Sequence, residues 1–321
     1  MADFDLFNGD ADGIFSLLQL RKSEPREATL VTGVKRDIAL LERVTVRQGD
    51  RVTVLDISLD RNRDALKRVL NQGAWVHYID HHFAGSVPRS PRLTTLLDPA
   101  PGTCTALLVD RYLDGAQREW AIAGAYGDNL LSEGDELANR CGLNAQRQAQ
   151  LRQMGELVNY NAYGRTEADL HCAPAALFHE LMQYASPWAA WEDQDSVIHR
   201  LKAGFEEDLR LGLAVPLERA GRGGLWLALP DAPWAHRIIG TLANRLARAH
   251  PEQALLLMIP TGDHHHQVSL RAPLNAPLGA DRLCRRYPSG GGRASAAGIN
   301  TLPNDQISDL LQDFSTHFPG L

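Results

Sequence analysis

Acidic and imidazole side chains follow three separate apolar segments and one helical segment of the chain. They are Asp10 and Asp12, then Asp56, then Asp80 with His81 and His82, and finally Asp128. Carboxylates that lie together repel one another and raise one another's pKa, and a bound divalent cation relieves that repulsion. Mixed carboxylate and imidazole ligands suit Mn²⁺, Mg²⁺ or Co²⁺ better than structural zinc. The pattern predicts a centre of one or two ions, able to hold a phosphoryl group and activate water.

The elements that must position these groups are strands. Short apolar segments alternate with helical periodicity and predict strands at Phe4–Phe7, Ala28–Thr32, Arg51–Asp56, Ala74–Asp80 and Leu93–Leu97. In an open parallel sheet, ligands bind outside the carboxyl ends of the strands. We therefore predict an α/β fold whose N-terminal, mainly parallel sheet has helices on both faces and gathers the acidic groups at one edge.

Each acidic segment taken alone has a structural explanation. Asp-x-Asp-Gly is ordinarily a turn, Asp56 could cap a helix, and a His-His pair is commonly on the surface. The agreement of three strand ends favours the metal centre. His77 fits an alternating strand position, and we interpret it as structural.

The pattern changes in the second half of the chain. Residues 132–213 are helical and polar, and a second alternation of strands and helices follows, with strands at Gly224–Leu229 and Ala254–Pro260. We predict a catalytic metal-binding domain at residues 1–190, a helical connector at 191–215 and a smaller α/β substrate-binding domain at 216–321. His264-His-His266 is interpreted as a solvated hairpin tip rather than a metal site.

The bulk composition is that of a globular protein, with 321 residues, 44% hydrophobic residues and a net charge of −6. An acidic balance argues against a partner of long duplex nucleic acid. No signal peptide and no apolar run of membrane-spanning length is visible, so we expect a cytoplasmic protein without a membrane partner. The four cysteines contain no C-x-x-C, and we expect buried or half-buried thiols.

Five motifs occur in one order along the chain: Asn8-Gly-Asp-Ala-Asp-Gly13, Leu55-Asp-Ile-Ser58, Asp80-His-His82, Gly127-Asp-Asn129 and Gly290-Gly-Gly-Arg-Ala-Ser-Ala-Ala-Gly298. In these motifs the chain resembles the DHH phosphoesterase superfamily with its C-terminal DHH-associated domain. That superfamily includes RecJ-type exonucleases, nanoRNases and cyclic-dinucleotide phosphodiesterases.

The resemblance implies two metal positions, filled by Mn²⁺. Asp10 and Asp56 would bind one ion. The other would be bound by Asp12, Asp56, His81 and Asp128, with Asp56 bridging.

The resemblance also implies roles for the rest of the third motif and shows one departure. Asp80 would orient His81, and His82 would face the substrate and help protonate the leaving oxygen. The family's histidine two residues before Asp10 is Asn8 here. An amide oxygen holds a transition metal more weakly than imidazole, so Asn8 offers at most a weak metal contact.

The glycine-rich motif predicts a phosphate contact. Gly290, Gly291 and Gly292 would bring backbone N–H groups close to a phosphate, and Arg293 would add a bidentate cationic donor where the family has histidine. We expect a helix to start in the small residues that follow, and Gly298 to permit a turn. Arg271 either faces the substrate or forms a surface ion pair.

Lys35 and Arg36 either reach a phosphate from the loop after the second strand or form an exposed basic pair. The predicted substrate is a short oligonucleotide, a dinucleotide or phosphoadenosine phosphate, bound between the metals and Arg293. The alternatives are an exopolyphosphatase or pyrophosphatase-like enzyme, and a non-catalytic nucleotide-binding protein whose first motif has decayed. The sequence leaves open whether the chain forms a homodimer.

Overall fold

The computed structural model describes residues 1–262 and 264–319. The chain divides into two compact units, residues 1–204 and 205–321. The division falls inside the segment that was predicted to connect two domains. No helix in the described ranges combines the length and the apolar character that crossing a membrane requires.

The first unit contains a parallel sheet. Its described strands are β1 (Asp3–Phe7), β2 (Thr29–Val31), β3 (Arg51–Leu55), β4 (Trp75–Asp80) and β5 (Leu93–Leu97). They lie in the order β2-β1-β3-β4-β5, and every neighbouring pair is parallel. This order confirms the predicted parallel sheet.

Helices account for most of the remainder of this unit. They are α1 (Ala11–Ser23), α2 (Leu59–Asn71), α3 (Thr105–Tyr112), α4 (Arg118–Gly127), α5 (Leu131–Arg140), α6 (Ala145–Asn161), α7 (Pro174–Met182), α8 (Pro187–Glu192) and α9 (Val197–Leu213), the last of which crosses the division between the units. Short 3-10 turns lie at Leu40–Arg43 and Glu167–Asp169.

Helices cover both faces of the parallel sheet, as predicted. Because side chains alternate along a strand, Val52 and Val54 of β3 share one face, where they belong to one buried cluster with Leu66 and Val69 of α2. On the opposite face α1 contacts β1 and β3, and α3 contacts β4.

Helices α4 and α6 cross at unusually close range. A Cβ built on Gly155 of α6 would lie 2.2 Å from the carbonyl oxygen of Ala123 in α4, and one built on Gly127 of α4 would lie 2.9 Å from the carbonyl oxygen of Gly155. Only glycine permits such an approach of backbone to backbone. The crossing fixes the end of α4, which Asp128 directly follows.

The second unit is a smaller α/β structure, as predicted. Its described elements are β6 (Glu218–Ala220), β7 (Gly224–Ala228), α10 (Pro233–Ala249), β8 (Ala254–Pro260), β9 (His265–Arg271), α11 (Ala280–Cys284), β10 (Gly290–Gly292), β11 (Ala296–Pro303) and α12 (Ile307–His317). The strands form a sheet in the order β10-β11-β9-β8-β7-β6, in which β7 and β8 are parallel and the other pairs antiparallel.

Two expectations about the glycine-rich motif were wrong. The residues after Arg293 form no helix: Arg293 and Ala296 exchange backbone hydrogen bonds of 2.8 and 3.2 Å, which close a tight hairpin between β10 and β11. Gly298 does not turn the chain but lies within β11, opposite Ser269 of β9. An added Cβ there would lie 2.7 Å from the carbonyl oxygen of Val268, so glycine admits the neighbouring strand.

The histidine run and the cysteines also differ in detail from expectation. His264 lies in the turn between β8 and β9, whereas His265 and His266 already belong to β9; Asp263 lies outside the described residues. Cys141 is exposed at the end of α5, contrary to the expectation of buried or half-buried thiols. It follows the helix in a solvent-facing turn, so its exposure could not be predicted from the sequence.

Candidate metal centre

The carboxyl edge of the parallel sheet gathers the predicted acidic residues. Asp10 follows β1, Asp56 follows β3, and Asp80 ends β4. These three carboxylates and Asp12, in the first turn of α1, are at most 3% exposed. Two triads bring their ligand atoms within 4.8 Å of one another: Asp56, His81 and His82, and Asp12, His81 and Asp128.

Asp12 is held by the N-terminus of α3. The backbone N–H groups of Thr105 and Ala106 donate to its two carboxylate oxygens at 2.8 and 2.6 Å. The first N–H groups of a helix have no partner within the helix, and the helix dipole favours negative charge there. These hydrogen bonds fix the buried Asp12 carboxylate in place.

Asp56 leaves its strand in a left-handed conformation, with φ of 58°. Its own N–H donates to the carbonyl oxygen of Ile79 in β4 at 3.1 Å. Asp56 therefore still pairs with β4, one residue beyond the end of β3. Thr105 Oγ donates to its carboxylate at 3.3 Å. Burial, followed by the neighbouring charge of Asp12, raises the pKa of Asp56 well above its ordinary value.

The orientation of His81 is decided by a backbone carbonyl. Its Nδ1 lies 2.9 Å from the carbonyl oxygen of Thr103, which can only accept, so the ring proton sits on Nδ1. The other ring nitrogen, Nε2, faces carboxylate oxygens of Asp56 at 3.4 Å, Asp12 at 3.7 Å and Asp128 at 3.9 Å. A lone pair among anionic oxygens is repulsive unless a cation lies between them. This donor set fits a divalent metal ion.

Asp80 bonds to a different histidine from the one expected. Its Oδ1 lies 2.7 Å from Nδ1 of His82, while His81 is oriented by Thr103. The hydrogen bond to Asp80 raises the pKa of His82 above its ordinary value. The second oxygen of Asp80 is buried without a hydrogen-bond partner among the described residues.

Asp128 completes the cluster from the end of α4. Burial, followed by the charges of Asp12 and Asp10, raises the pKa of Asp128 to about 7. A carboxyl that holds its proton near neutral pH in the absence of metal is the expected result of crowding with other carboxylates. Binding of a cation there must displace that proton.

Asp10 has a cation beside it already. Its Oδ1 accepts from Gly13 N–H at 3.1 Å and caps α1, and its Oδ2 accepts from the Lys35 ammonium at 2.5 Å. Burial opposes both charges, but the attraction between the two groups outweighs it: the pKa of Asp10 lies below its ordinary value and that of Lys35 above. Lys35 is therefore not part of an exposed basic pair.

Asn8 uses both ends of its amide within the same loop. Its Oδ1 accepts from the N–H of Asp10 at 3.2 Å, and its Nδ2 donates to the carbonyl oxygen of Lys35 at 3.3 Å. The residue in the family's histidine position thus holds the loop that carries Lys35.

The predicted phosphate residues lie in the second unit. Arg293 is exposed at the β10–β11 turn that follows Gly290–Gly292. Arg271, at the end of β9, donates to Asn244 Oδ1 of α10 at 2.7 Å and to Ser269 Oγ at 3.1 Å. Substrate contact by either arginine stays a prediction.

Several groups at the centre had no signal in the sequence. The carbonyl of Thr103 and the N–H groups of Thr105 and Ala106 are backbone atoms, which any residue type would supply. Asn159, on α6, accepts from Lys35 at 3.1 Å, and it is more than a hundred residues away in the chain. The Gly-Thr-Cys-Thr run that ends at Thr105 was the nearest available hint of a loop entering a helix N-terminus.

No protein-family model and no curated protein sequence matches the chain. Its fold does match solved structures. A DHH-domain protein described as a member of the s1p family of ribosomal proteins has a TM-score of 0.61 at 14% identity, covering 98% of this chain and 86% of that one. Exonuclease RecJ bound to manganese has a TM-score of 0.57 at 18% identity, covering 98% of this chain and 90% of that one.

A pGpG-specific phosphodiesterase from Vibrio cholerae is also similar, with a TM-score of 0.53 at 12% identity, and the match covers 99% of this chain and 100% of that one. At such identities the likeness is one of fold. In this chain, the first three of the five motifs lie at the carboxyl ends of β1, β3 and β4, and the fourth follows α4. The chain therefore shares the fold of these three structures.

Proposed function

We propose that the chain is a metal-dependent phosphoesterase that hydrolyses a phosphodiester or a terminal phosphate of a small nucleotide substrate. The observation that carries the proposal is the position of His81 Nε2, which faces oxygens of Asp12, Asp56 and Asp128 at 3.4 to 3.9 Å. Two proteins that share the fold, an exonuclease and a phosphodiesterase, support this class of reaction.

A divalent ion would be held by His81, Asp12, Asp56 and Asp128. Their carboxylate and imidazole groups suit Mn²⁺ or Mg²⁺. When bound, such an ion lowers the pKa of a water ligand and neutralises charge on phosphoryl oxygens. The chain itself supplies preorganisation: the N-terminus of α3 fixes Asp12, and the Thr103 carbonyl fixes His81. Ligands held in this way need little reorganisation when the substrate binds.

His82 supplies a proton donor beside these ligands. Its Nδ1 is bonded to Asp80, so Nε2 is the atom that can exchange a proton with the substrate, and 44% of the side chain is exposed. Because Asp80 raises the pKa of His82, the ring carries its proton to higher pH than a free histidine does. A charged ring there can protonate the leaving oxygen.

A substrate of a few nucleotides fits the size and charge of the chain. The chain matches the whole length of a pGpG-specific phosphodiesterase, and its net charge is −6 rather than basic. Gly290–Gly292 and Arg293 in the second unit are proposed to bind a phosphate of that substrate.

Hydrolysis of a substrate panel in the presence of Mn²⁺ tests the function. The panel contains short oligonucleotides, linear and cyclic dinucleotides, phosphoadenosine phosphate and polyphosphate. We expect cleavage of a short nucleotide substrate, its loss on chelation, and its loss in Asp56→Asn. Asparagine tolerates the left-handed backbone of that position. Asp64→Asn is the matched control, since the Asp64 side chain is 98% exposed. Chelator-resistant hydrolysis would overturn the metal-dependent mechanism. Cleavage of polyphosphate alone would identify polyphosphate, and not a nucleotide, as the substrate.

Metal binding should also stabilise the fold. Mn²⁺ binds the folded carboxylate cluster and not the unfolded chain, so a concentration of 100 times Kd adds about 2.7 kcal/mol to the free energy of unfolding. We expect Tm to rise with Mn²⁺ in the unmodified protein and in Asp64→Asn, but much less in Asp56→Asn. Equal Tm values with and without millimolar Mn²⁺ in the unmodified protein would contradict a metal centre.

A further inference from the structure

We infer that the ammonium group of Lys35 takes the place of a second divalent ion beside Asp10, so that the centre binds one metal ion and one built-in monovalent cation. The inference rests on the proposed metal-dependent function and deepens it. It differs from the two-ion arrangement that the family resemblance implied.

The contacts of Lys35 are those of a fixed cation. Its Nζ lies 2.5 Å from Oδ2 of Asp10 and 3.1 Å from Oδ1 of Asn159. The Asp10 side chain is 5% exposed and that of Lys35 29% exposed. Charge-assisted hydrogen bonds of this kind are among the strong ones, particularly where little water competes.

An ion bound to the same oxygen of Asp10 would have to share it with the ammonium. The ammonium is 2.5 Å from that oxygen, and metal–oxygen bonds for Mg²⁺ and Ca²⁺ span roughly 2.0–2.6 Å. Two cations that share one oxygen repel each other, since the Coulomb energy grows as the distance falls. The other oxygen of Asp10 already accepts from the N–H of Gly13.

The backbone holds Lys35 at this place. Its N–H donates to the carbonyl oxygen of Ala162 at 3.0 Å, and its carbonyl accepts from the side chain of Asn8 at 3.3 Å. The ring of Tyr163 lies 5.5 Å from Nζ, within range of a cation–π contact. Asn8, the residue that departs from the family's motif, is thus part of the support for the lysine.

The groups able to hold a metal form a set without Asp10. In the described part of the chain, the two triads with converging ligand atoms are Asp56, His81 and His82, and Asp12, His81 and Asp128. Both include His81, whose Nδ1 bonds the Thr103 carbonyl, so that only Nε2 can bind an ion. The geometry therefore provides one divalent position.

The ammonium also has a use toward the substrate. Lysine has three N–H donors, and Asp10 and Asn159 accept from two of them. The third can bind a phosphate oxygen. Unlike a weakly bound ion, this charge is present at every metal concentration.

Metal stoichiometry of the full-length chain tests the inference. After equilibration with MnCl₂, we expect calorimetry and elemental analysis to give one ion per chain, and electron paramagnetic resonance to give the spectrum of an isolated Mn²⁺ ion. Two tightly bound ions with a spin-coupled spectrum would overturn the inference and leave the proposed function standing. A chain that binds no Mn²⁺ would overturn the proposed function as well.

Variants test whether Lys35 takes the place of a metal ion or only supports the fold. Asn8→His combined with Lys35→Met removes the ammonium and adds an imidazole, and we expect it to bind a second Mn²⁺ ion with a coupled spectrum. Lys22→Met is the control, because Lys22 Nζ bonds the carbonyl oxygens of Met182 and Tyr184 away from the centre; it should still bind one ion.

A folded double variant that still binds a single ion would contradict the inference, with folding judged by circular dichroism. If the double variant does not fold, the spectrum of the unmodified protein with saturating Mn²⁺ decides the question by itself.

Discussion

His81 and His82 are chemically identical neighbours with opposite environments. A backbone carbonyl accepts from Nδ1 of His81 and turns Nε2 toward carboxylates, which suits a metal ligand. A buried carboxylate, Asp80, bonds Nδ1 of His82 and favours its charged form, which suits a proton donor. The ring centroids are only 4.5 Å apart. The difference between them therefore comes from one hydrogen-bond partner each.

Replacement of His82 should reveal whether it protonates the leaving oxygen. We expect His82→Gln to lower kcat for a nucleotide ester by about 10²–10⁴-fold, the usual contribution of general acid catalysis. The loss should be much smaller for a p-nitrophenyl phosphodiester, because nitrophenolate leaves without a proton. Parallel kinetics on the two substrates measure this difference. His77→Gln, whose ring packs near Tyr112 outside the centre, should leave both rates unchanged. Equal losses on the two substrates would assign His82 to binding alone.

Among the elements, the crossing of α4 and α6 positions the proposed ligand Asp128. Asp128 lies one residue beyond α4, so any change in how α4 packs on α6 moves that carboxylate. Gly155 and Gly127 allow the two backbones to approach within van der Waals range at this point.

Adding a methyl group at the crossing should destabilise the first unit. In Gly155→Ala the new Cβ would lie 2.2 Å from the Ala123 carbonyl oxygen, and such overpacking costs about 1–3 kcal/mol. Urea denaturation measures the change in the free energy of unfolding. Gly240→Ala, also inside a helix but with open space around the added Cβ, is expected to stabilise by about 0.5–1 kcal/mol. Equal effects of the two substitutions would show that helix propensity, and not the close crossing, decides the result.

Elements with strong hydrophobic patterning could be predicted from the sequence, and short ones with small residues could not. Strand β8 occurs at the predicted position because it is a continuous apolar run. Strands β10 and β11 were missed: Gly290–Gly292 and Ala296–Gly298 carry almost no hydrophobic pattern. They are strands because β11 pairs with β9 and β10 pairs with β11. In the same way, the acidic ligands were visible as motifs, whereas the Lys35–Asp10 pair depends on tertiary folding.

For the molecule as a whole, acid sensitivity should come in part from carboxylates that hold loops together. Asp50 accepts from the N–H of Ala2 at 2.7 Å and from that of Arg47 at 2.8 Å. These backbone hydrogen bonds, Ala2 first, lower the pKa of Asp50 below its ordinary value. The group therefore adds stability above its unfolded pKa of about 3.9, and that contribution is lost as the pH falls through the lower folded value.

We expect Asp50→Asn to reduce the free energy of unfolding at pH 7 by about 1 kcal/mol, since the amide replaces a charged acceptor. The loss should shrink as the pH falls below about 4, where the unmodified protein protonates Asp50 too. Urea denaturation at pH 7 and at successively lower pH measures both effects. Asp64→Asn serves again as the exposed control. A destabilisation that stays constant down to pH 2 would show that the charge of Asp50 contributes nothing.

The backbone support of Asp12 and His81 has a consequence for mutational robustness. The acceptor for His81 is the carbonyl of Thr103, and the donors to Asp12 are the N–H groups of Thr105 and Ala106. Almost no side-chain replacement at those three positions removes these atoms; proline at Thr105 or Ala106, which lacks the N–H, is the exception. A saturation scan read out by activity would therefore mark the ligands themselves and tolerate most changes in the loop that orients them. Within that loop, the scan should show a loss of activity at Gly102, whose φ of 80° disfavours other residues.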